Sequence, residues 1–331
     1  MGFKFITMKK FLSSLCLSLL VANVYGQKVD FSVVFVPEES GNNITRISSP
    51  GDYVYQPLVK RNASRIYWSS NRILGISPDG TSLAYISERN NATNIFLTDI
   101  NKQGGSVQRT NRQGVQDFSF SPDGKHICFS EVRGKECQIF QTDAKNGYVC
   151  RQITSGARDY SPLYSSDMKQ IFFSREEKKG FSIWGYNFAN NFLATYSAGL
   201  NPMPASEDKV YYCTRVSAVG DCEIWKVNYE TGIEECIVSA PNRSFTTPTI
   251  SPDGKWLLMV GSSKIENGNI KYWNTDLYVC HLDGTDLTQL TFHAADDMSP
   301  IWSPNGKQIY FISQRGDAEG TANIWRMDFN H

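Results

Sequence analysis

Apolar and polar positions along this chain fall into one unit that recurs six times. Each unit opens with a short apolar stretch that runs into a Ser-Pro-Asp-Gly turn. The full copies are Ser77-Pro78-Asp79-Gly80, Ser121-Pro122-Asp123-Gly124, Ser251-Pro252-Asp253-Gly254 and, with Asn in place of Asp, Ser303-Pro304-Asn305-Gly306. Two copies are worn, at Tyr164-Ser165-Ser166-Asp167 and Pro204-Ala205-Ser206-Glu207-Asp208. Proline presets φ at the first corner, and Asp or Asn tolerates the second and bonds a neighbouring amide. Glycine then takes the positive φ that sends the chain back antiparallel. The motif is thus a hairpin turn, without catalytic content. A second apolar strand follows each turn, at residues 83–86, 127–129, 171–173, 210–212, 257–259 and 309–311. After a polar loop comes a third strand marked by an aliphatic-aromatic pair: Ile95-Phe96, Ile139-Phe140, Ile183-Trp184, Ile224-Trp225, Leu277-Tyr278 and Ile324-Trp325.

Those aromatics lie 41 to 53 residues apart, the spacing of a four-stranded propeller blade. Five copies carry a fourth strand, at residues 107–111, 151–154, 193–197, 236–239 and 287–291. The sixth has no room for one after Trp325, but residues 44–48 (Ile-Thr-Arg-Ile-Ser) resemble residues 287–291 (Leu-Thr-Gln-Leu-Thr). A ring of sheets leaves an open seam between first and last modules, and a blade assembled from both ends of the chain closes it by strand pairing. The fold class expected is therefore all-β: a six-bladed β-propeller of four-stranded antiparallel blades, the last completed by an N-terminal strand. Residues 31–36 read as an extra strand. Residues 57–59 with 66–68 mimic a strand-turn-strand unit, read as a hairpin insertion in preference to the remnant of a seventh blade.

Composition narrows the partners. Of 331 residues, 33 are basic and 33 acidic, a balance that offers no footprint for nucleic acid. Lys4, Lys9 and Lys10 precede an apolar run at residues 11–22, and small or β-branched residues before Gln27 suit a signal peptidase. Residues 1–26 are accordingly expected to be a secretory signal, and residues 27–331 one propeller domain, periplasmic or secreted, with a possible outer-membrane association. No transmembrane span is expected in the mature chain. Its seven cysteines include Cys128 with Cys137 and Cys213 with Cys222, each pair nine residues apart across the loop between strands two and three. A four-residue hairpin loop would set such residues face to face, so each pair is a disulfide candidate in an oxidising compartment, with a pair of buried thiols as the alternative.

The repeats resemble the TolB-like, WD40-like PD40 propellers, over residues 44–331. TolB carries an α/β domain ahead of its propeller, and residues 27–44 are too short to hold one. The resemblance implies a propeller that binds a protein or peptide in the bacterial cell envelope. Other relatives cap serine peptidases, but no Gly-x-Ser-x-Gly elbow is present here. Zinc-protease, phosphate-loop and dinucleotide motifs are also missing, and neither a cofactor nor a resident metal is expected.

Function is expected on the face holding the loops into each first strand and the loops between strands two and three. The candidate binding residues there are Arg158, Asp159, Arg243, Tyr272, Trp273, His293, Asp296 and Asp297, with residues 261–274 as the longest loop. Asp159 and Asp297 occupy matching positions, six residues before Ser165 and Ser303. They could bind a cation or a polar ligand or act as an acid/base pair, or simply cap the turn into the inner strand through backbone N–H groups. The leading expectation is a non-enzymatic, exported binding module, with a small-molecule or glycan ligand also compatible. The competitors are a carbohydrate-active, lyase-like enzyme using His293 with Asp159 and Asp297 or a bound metal, and a structural subunit of an outer-membrane assembly.

Overall fold

A computed structural model of the chain describes residues 37–39, 41–56, 60–62, 65–68, 72–101, 105–147, 150–206, 209–267, 270–316 and 321–330. The expected signal segment and the strand at residues 31–36 lie outside the described residues.

Six four-stranded antiparallel sheets form the blades. Blade I is Leu74–Ile76, Ser82–Arg89, Ala92–Asp99 and Val107–Gln108; blade II is Val115–Phe120, His126–Arg133, Glu136–Asp143 and Cys150–Gln152. Blade III is Asp159–Tyr164, Gln170–Glu177, Gly180–Asn187 and Phe192–Ala198; blade IV is Leu200–Pro204, Val210–Val216, Cys222–Asn228 and Glu234–Val238. Blade V is Arg243–Ile250, Trp256–Asn267, Ile270–His281 and Thr288–Gln289. Blade VI takes Asp297–Trp302, Gln308–Ser313 and Asn323–Asp328 from one end of the chain and Thr45–Arg46 from the other, with Thr45 opposite Arg326 and Arg46 opposite Trp325. Each inner strand neighbours the next, and that of blade VI neighbours that of blade I, so the ring is closed. Of the expected strand-turn-strand unit, residues 57–59 lie outside the described residues; Lys60–Asn62 with Arg65–Trp68 form a separate two-stranded sheet, an insertion rather than a seventh four-stranded blade.

Repetition of sequence becomes repetition of burial. Leu83, Ile127, Ile171, Tyr211, Leu257 and Ile309, each six residues after the first turn residue, are all 0% exposed, because both faces of a blade are covered by its neighbours. The aliphatic members of the third-strand pairs are buried too. In blades I to V an arginine lies over the aromatic member: Arg89 on Phe96 at 4.0 Å, Arg133 on Phe140 at 4.7 Å, Arg175 on Trp184 at 4.3 Å, Arg215 on Trp225 at 4.8 Å and Arg243 on Tyr278 at 5.2 Å. Such stacks hold a cation against an aromatic face near the blade's outer half.

The turns work as their chemistry requires. In the first, Ser77 Oγ donates to Asp79 Oδ1 at 2.6 Å, the Thr81 N–H donates to the same oxygen at 3.0 Å, and Gly80 has φ +73°.

Two expectations fail on register. The hairpin of blade II pairs Arg133 with Glu136, leaving a two-residue loop, so Cys128 faces Gln141 and Cys137 faces Val132. In blade IV Cys213 faces Trp225 and Cys222 faces Val216. The four thiols are buried and none is in a disulfide, each pair being offset along its strands beyond bridging reach, so neither expected bridge forms. Residues 261–274, expected as a loop, mostly continue the second and third strands of blade V, which reach 12 residues each.

Candidate functional site

The inner strands of blades III to VI share a backbone device on the face proposed for function. Ser161, Asn201, Thr247 and Ser299 each precede a proline and each adopt a left-handed φ, between +51° and +54°. At each the pairing register slips by one bulge. The N–H freed there is taken by the preceding blade: Ser161 donates to Asp117 Oδ2 at 2.9 Å, Asn201 to Ser174 Oγ at 2.9 Å, and Thr247 to Thr214 Oγ1 at 3.3 Å. Asp117 also accepts from Ser130 Oγ. Burial pushes the Asp117 carboxyl up to about 6 against these donors. Arg72, ahead of the blade I inner strand, reaches carbonyls two and three blades away, Pro248 O at 2.9 Å and Pro202 O at 3.1 Å. Much of the polar lining of the ring is thus committed to holding blades together.

The two matching aspartates prove to be anchored. Asp159 is 0% exposed and is gripped by Arg175 through two bonds, Nε to Oδ1 at 2.7 Å and Nη2 to Oδ2 at 2.9 Å. Asp297, also 0% exposed, accepts from Arg315 Nη2 at 2.5 Å. Arg315 in turn holds Glu39 at 2.7 and 3.1 Å, and Glu39 accepts the Phe292 N–H at 2.8 Å. Among the described residues neither aspartate serves as the backbone cap that was the alternative; Asp159 is the partner of a part-buried guanidinium, Arg175, and Asp297 of a fully buried one, Arg315. They lie on blades III and VI, half a ring apart, so they do not form an acid/base pair.

The other candidates scatter. Arg158 is exposed on the blade III rim, bridging Glu176 at 3.2 Å and the Tyr160 hydroxyl at 3.1 Å. Arg243 packs on Tyr278. Trp273 sits in the elongated third strand of blade V, where its register partner is Lys264, and Tyr272 pairs in register with Ile265. Asp296 accepts from both the N–H and the hydroxyl of Thr275 at 3.0 Å. His293 is 2% exposed, its Nδ1 accepting the Ala295 N–H at 2.9 Å, and its own carbonyl accepts from Asn274 Nδ2 at 2.8 Å.

Three of these, His293, Asp296 and Asp297, surround groups that the sequence reading missed. Asp276, buried on the third strand of blade V, accepts from Asn274 Nδ2 at 3.3 Å, while its Oδ1 and Asn274 Oδ1 have no hydrogen-bond partner among the described residues. Burial first, then the charges of Asp297, Asp296 and Glu39, drive its carboxyl up to about 9, with Arg315 opposing. Asp297 is pushed up to about 6 by burial, again against Arg315. The cluster therefore holds an ion-paired Arg315 beside a carboxylic acid that stays neutral at pH 7. Among the described residues no group of three or more His, Cys, Asp or Glu side chains is placed to hold a metal ion. Arg175 carried a usable signal, since Arg175 and Arg215 both stand ten residues after the first turn position; Glu39 and Asp276 carried none.

Comparisons agree with this architecture. Residues 70–206 match the PD40 TolB beta propeller domain. An uncharacterized protein of Agrobacterium fabrum is 26% identical over 95 residues, a stretch covering 29% of each chain, so this chain aligns with under a third of that relative's length. A TolB candidate of Agrobacterium tumefaciens superposes with a TM-score of 0.61 at 18% identity, over 81% of this chain and 94% of that one. An oligogalacturonate lyase of Vibrio parahaemolyticus superposes with a TM-score of 0.57 at 13% identity, over 90% and 96%. At such identities the likeness is one of fold, and a fold shared by a Tol protein and a lyase does not choose between their functions. With residues 70–206 matched in sequence and the ring matched in shape, the chain is a six-bladed β-propeller whose matched stretch is similar to the PD40 TolB beta propeller domain.

Proposed function

We propose that this chain is an exported, non-catalytic module of the bacterial cell envelope that binds a protein or peptide on the face carrying the loops between second and third strands. The observation that carries this reading is the blade V hairpin. Its strands are 12 residues long where second and third strands elsewhere have at most eight, so it stands out from that face by about four residues, ~13 Å. Among the described residues its second strand has no inner-strand pairing past Ser263, and the outer edge of its third strand is taken only from Val279 back to Thr275, by residues 288–291 and Asp296. Unpaired strand edges on a rigid ring suit the addition of an extended partner segment. The lyase-like alternative needs His293, Asp159 and Asp297 to converge at an open mouth. They are buried, and Asp159 lies across the ring from the other two.

The test is affinity capture from envelope extracts with the full chain and with a variant in which residues 264–273 are replaced by Asn-Gly. The expected outcome is a stoichiometric partner lost with the variant while its melting temperature is kept. Equal recovery of that partner by the shortened hairpin would overturn the reading.

A further inference from the structure

The opposite face, where the Ser-Pro-Asp-Gly turns lie, has a pocket of about 570 Å³ between blades V and VI. Its existence follows from how the ring closes. In blades III, IV and V a turn joins strand three to strand four at this corner. In blade VI the fourth strand arrives from the other end of the chain, and among the described residues no such turn covers the corner. Residues 41–42 only skirt the gap: the Asp328 N–H donates to Asn42 O at 2.7 Å and Asn330 Nδ2 to Gly41 O at 3.4 Å.

One wall departs from the repeat. The first residue of each second strand is Ser82, His126, Gln170, Val210 and Gln308 in the other blades; in blade V it is Trp256. Five small, polar or medium residues serve at this position, so the fold does not demand an indole there. Trp256 meets Phe329 edge to face at 5.6 Å and stacks on His281 at 4.2 Å, and Phe329 meets Trp302 at 4.8 Å. Around the lining aromatics Trp256 and Phe329 stand acceptors, Asp253 and Asp328, and donors, Lys307 and Asn330. Each carboxylate keeps acceptor capacity beyond its present partners, which are Ser251, Lys255, Gln308 and Asn43.

We propose that this pocket binds a neutral saccharide. An apolar aromatic wall matches the C–H face of a pyranose, and interleaved acceptors and donors match its hydroxyls, which are both. The charges decide against the other classes. Asp253 and Asp328 face Lys307, with Lys255 at 3.9 Å from Asp253, so the rim has no excess of either sign to select an anion or a cation. The volume lies within the range of small-ligand sites and suits one or two sugar rings. The site is separate from the protein-binding face and does not depend on it.

Isothermal titration of the full chain with di-N-acetylchitobiose and with cellobiose tests this. The expected result is saturable binding of at least one sugar below about 10 mM, weakened at least about tenfold by Trp256→Ala and measurably by Lys307→Ala and Asn330→Ala. The last two change exposed rim groups and leave the packed rings intact. Trp273→Ala, on the other face, should bind normally. No saturable heat with either sugar up to about 10 mM would overturn the proposal. So would binding that survives both rim substitutions, or a site that takes inorganic phosphate or a diamine in preference to the sugars.

Discussion

Asp276 shows how far one side chain can be bent by its neighbours. It shares a buried pocket with Glu39 and Asp297, beside Asp296, and Arg315 is the cation that opposes their charge there. With its pKa near 9 in the fold and near 4 in the unfolded chain, the native state binds a proton that the unfolded state has released throughout the interval between them. Stability contributed at this residue is therefore full below about pH 4 and declines as pH rises toward 9. Asp297, raised to about 6, adds a smaller loss of the same sign between pH 4 and 6. Asp276→Asn keeps the shape and the acceptor for Asn274 while removing the titration. It is expected to raise stability by about 1–3 kcal/mol at pH 8 and by almost nothing at pH 4, read from urea unfolding across that range. A gain independent of pH would show that the substitution acts through packing instead.

Among the elements, the six turns provide an internal mutant series. Gly80, Gly124, Gly254 and Gly306 hold φ between +70° and +73°, but in blade III the same corner is Met168 at +57°, part exposed, after a Ser165 hydroxyl that still donates to Asp167 Oδ1 at 2.7 Å. A side chain with a Cβ is strained in this region by about 1 kcal/mol or more, so Met168→Gly is expected to stabilise the protein by about 0.5–1 kcal/mol, as a rise in melting temperature. Gly124→Met should do the reverse. Turn chemistry of this kind is local, which is why the strands, the blade count and the closing strand were legible from residue order alone. What escaped depends on register. A two-residue loop in place of a four-residue one moves Cys128 to Gln141 and dissolves a disulfide that spacing suggested. The same limit applies to the site: Asp159 and Asp297 were found, but not Arg175 and Arg315, which meet them across strands. Glu39 reaches Arg315 from 276 residues away.

For the whole molecule the question is what keeps a closed ring closed. The strand pairing at the seam is short, two residues of Thr45–Arg46 against Arg326 and Trp325, extended by Ile47 N–H to Ile324 O at 2.8 Å and by Ser48, which both donates to Asn323 and accepts from Ile324 N–H. Beside it, Glu39, Arg315 and Asp297 join the N-terminal segment to blade VI with every charged group buried. Buried ion pairs add little over apolar replacements, but breaking one asymmetrically is costly, because the partner left behind stays desolvated and charged. That asymmetry orders the substitutions. Glu39→Gln leaves Arg315 neutralised by Asp297 and lightens the load on Asp276. Arg315→Met leaves Glu39, Asp297 and Asp276 without their cation. Arg315→Met is thus expected to cost about 3–5 kcal/mol and Glu39→Gln about 1 kcal/mol or less at pH 7. In both variants amide exchange should quicken first along residues 323–328, where the closing strand pairs. If the two substitutions cost the same, the latch acts through its hydrogen bonds and packing, beside the two-residue strand, Ile47 and Ser48, rather than through charge.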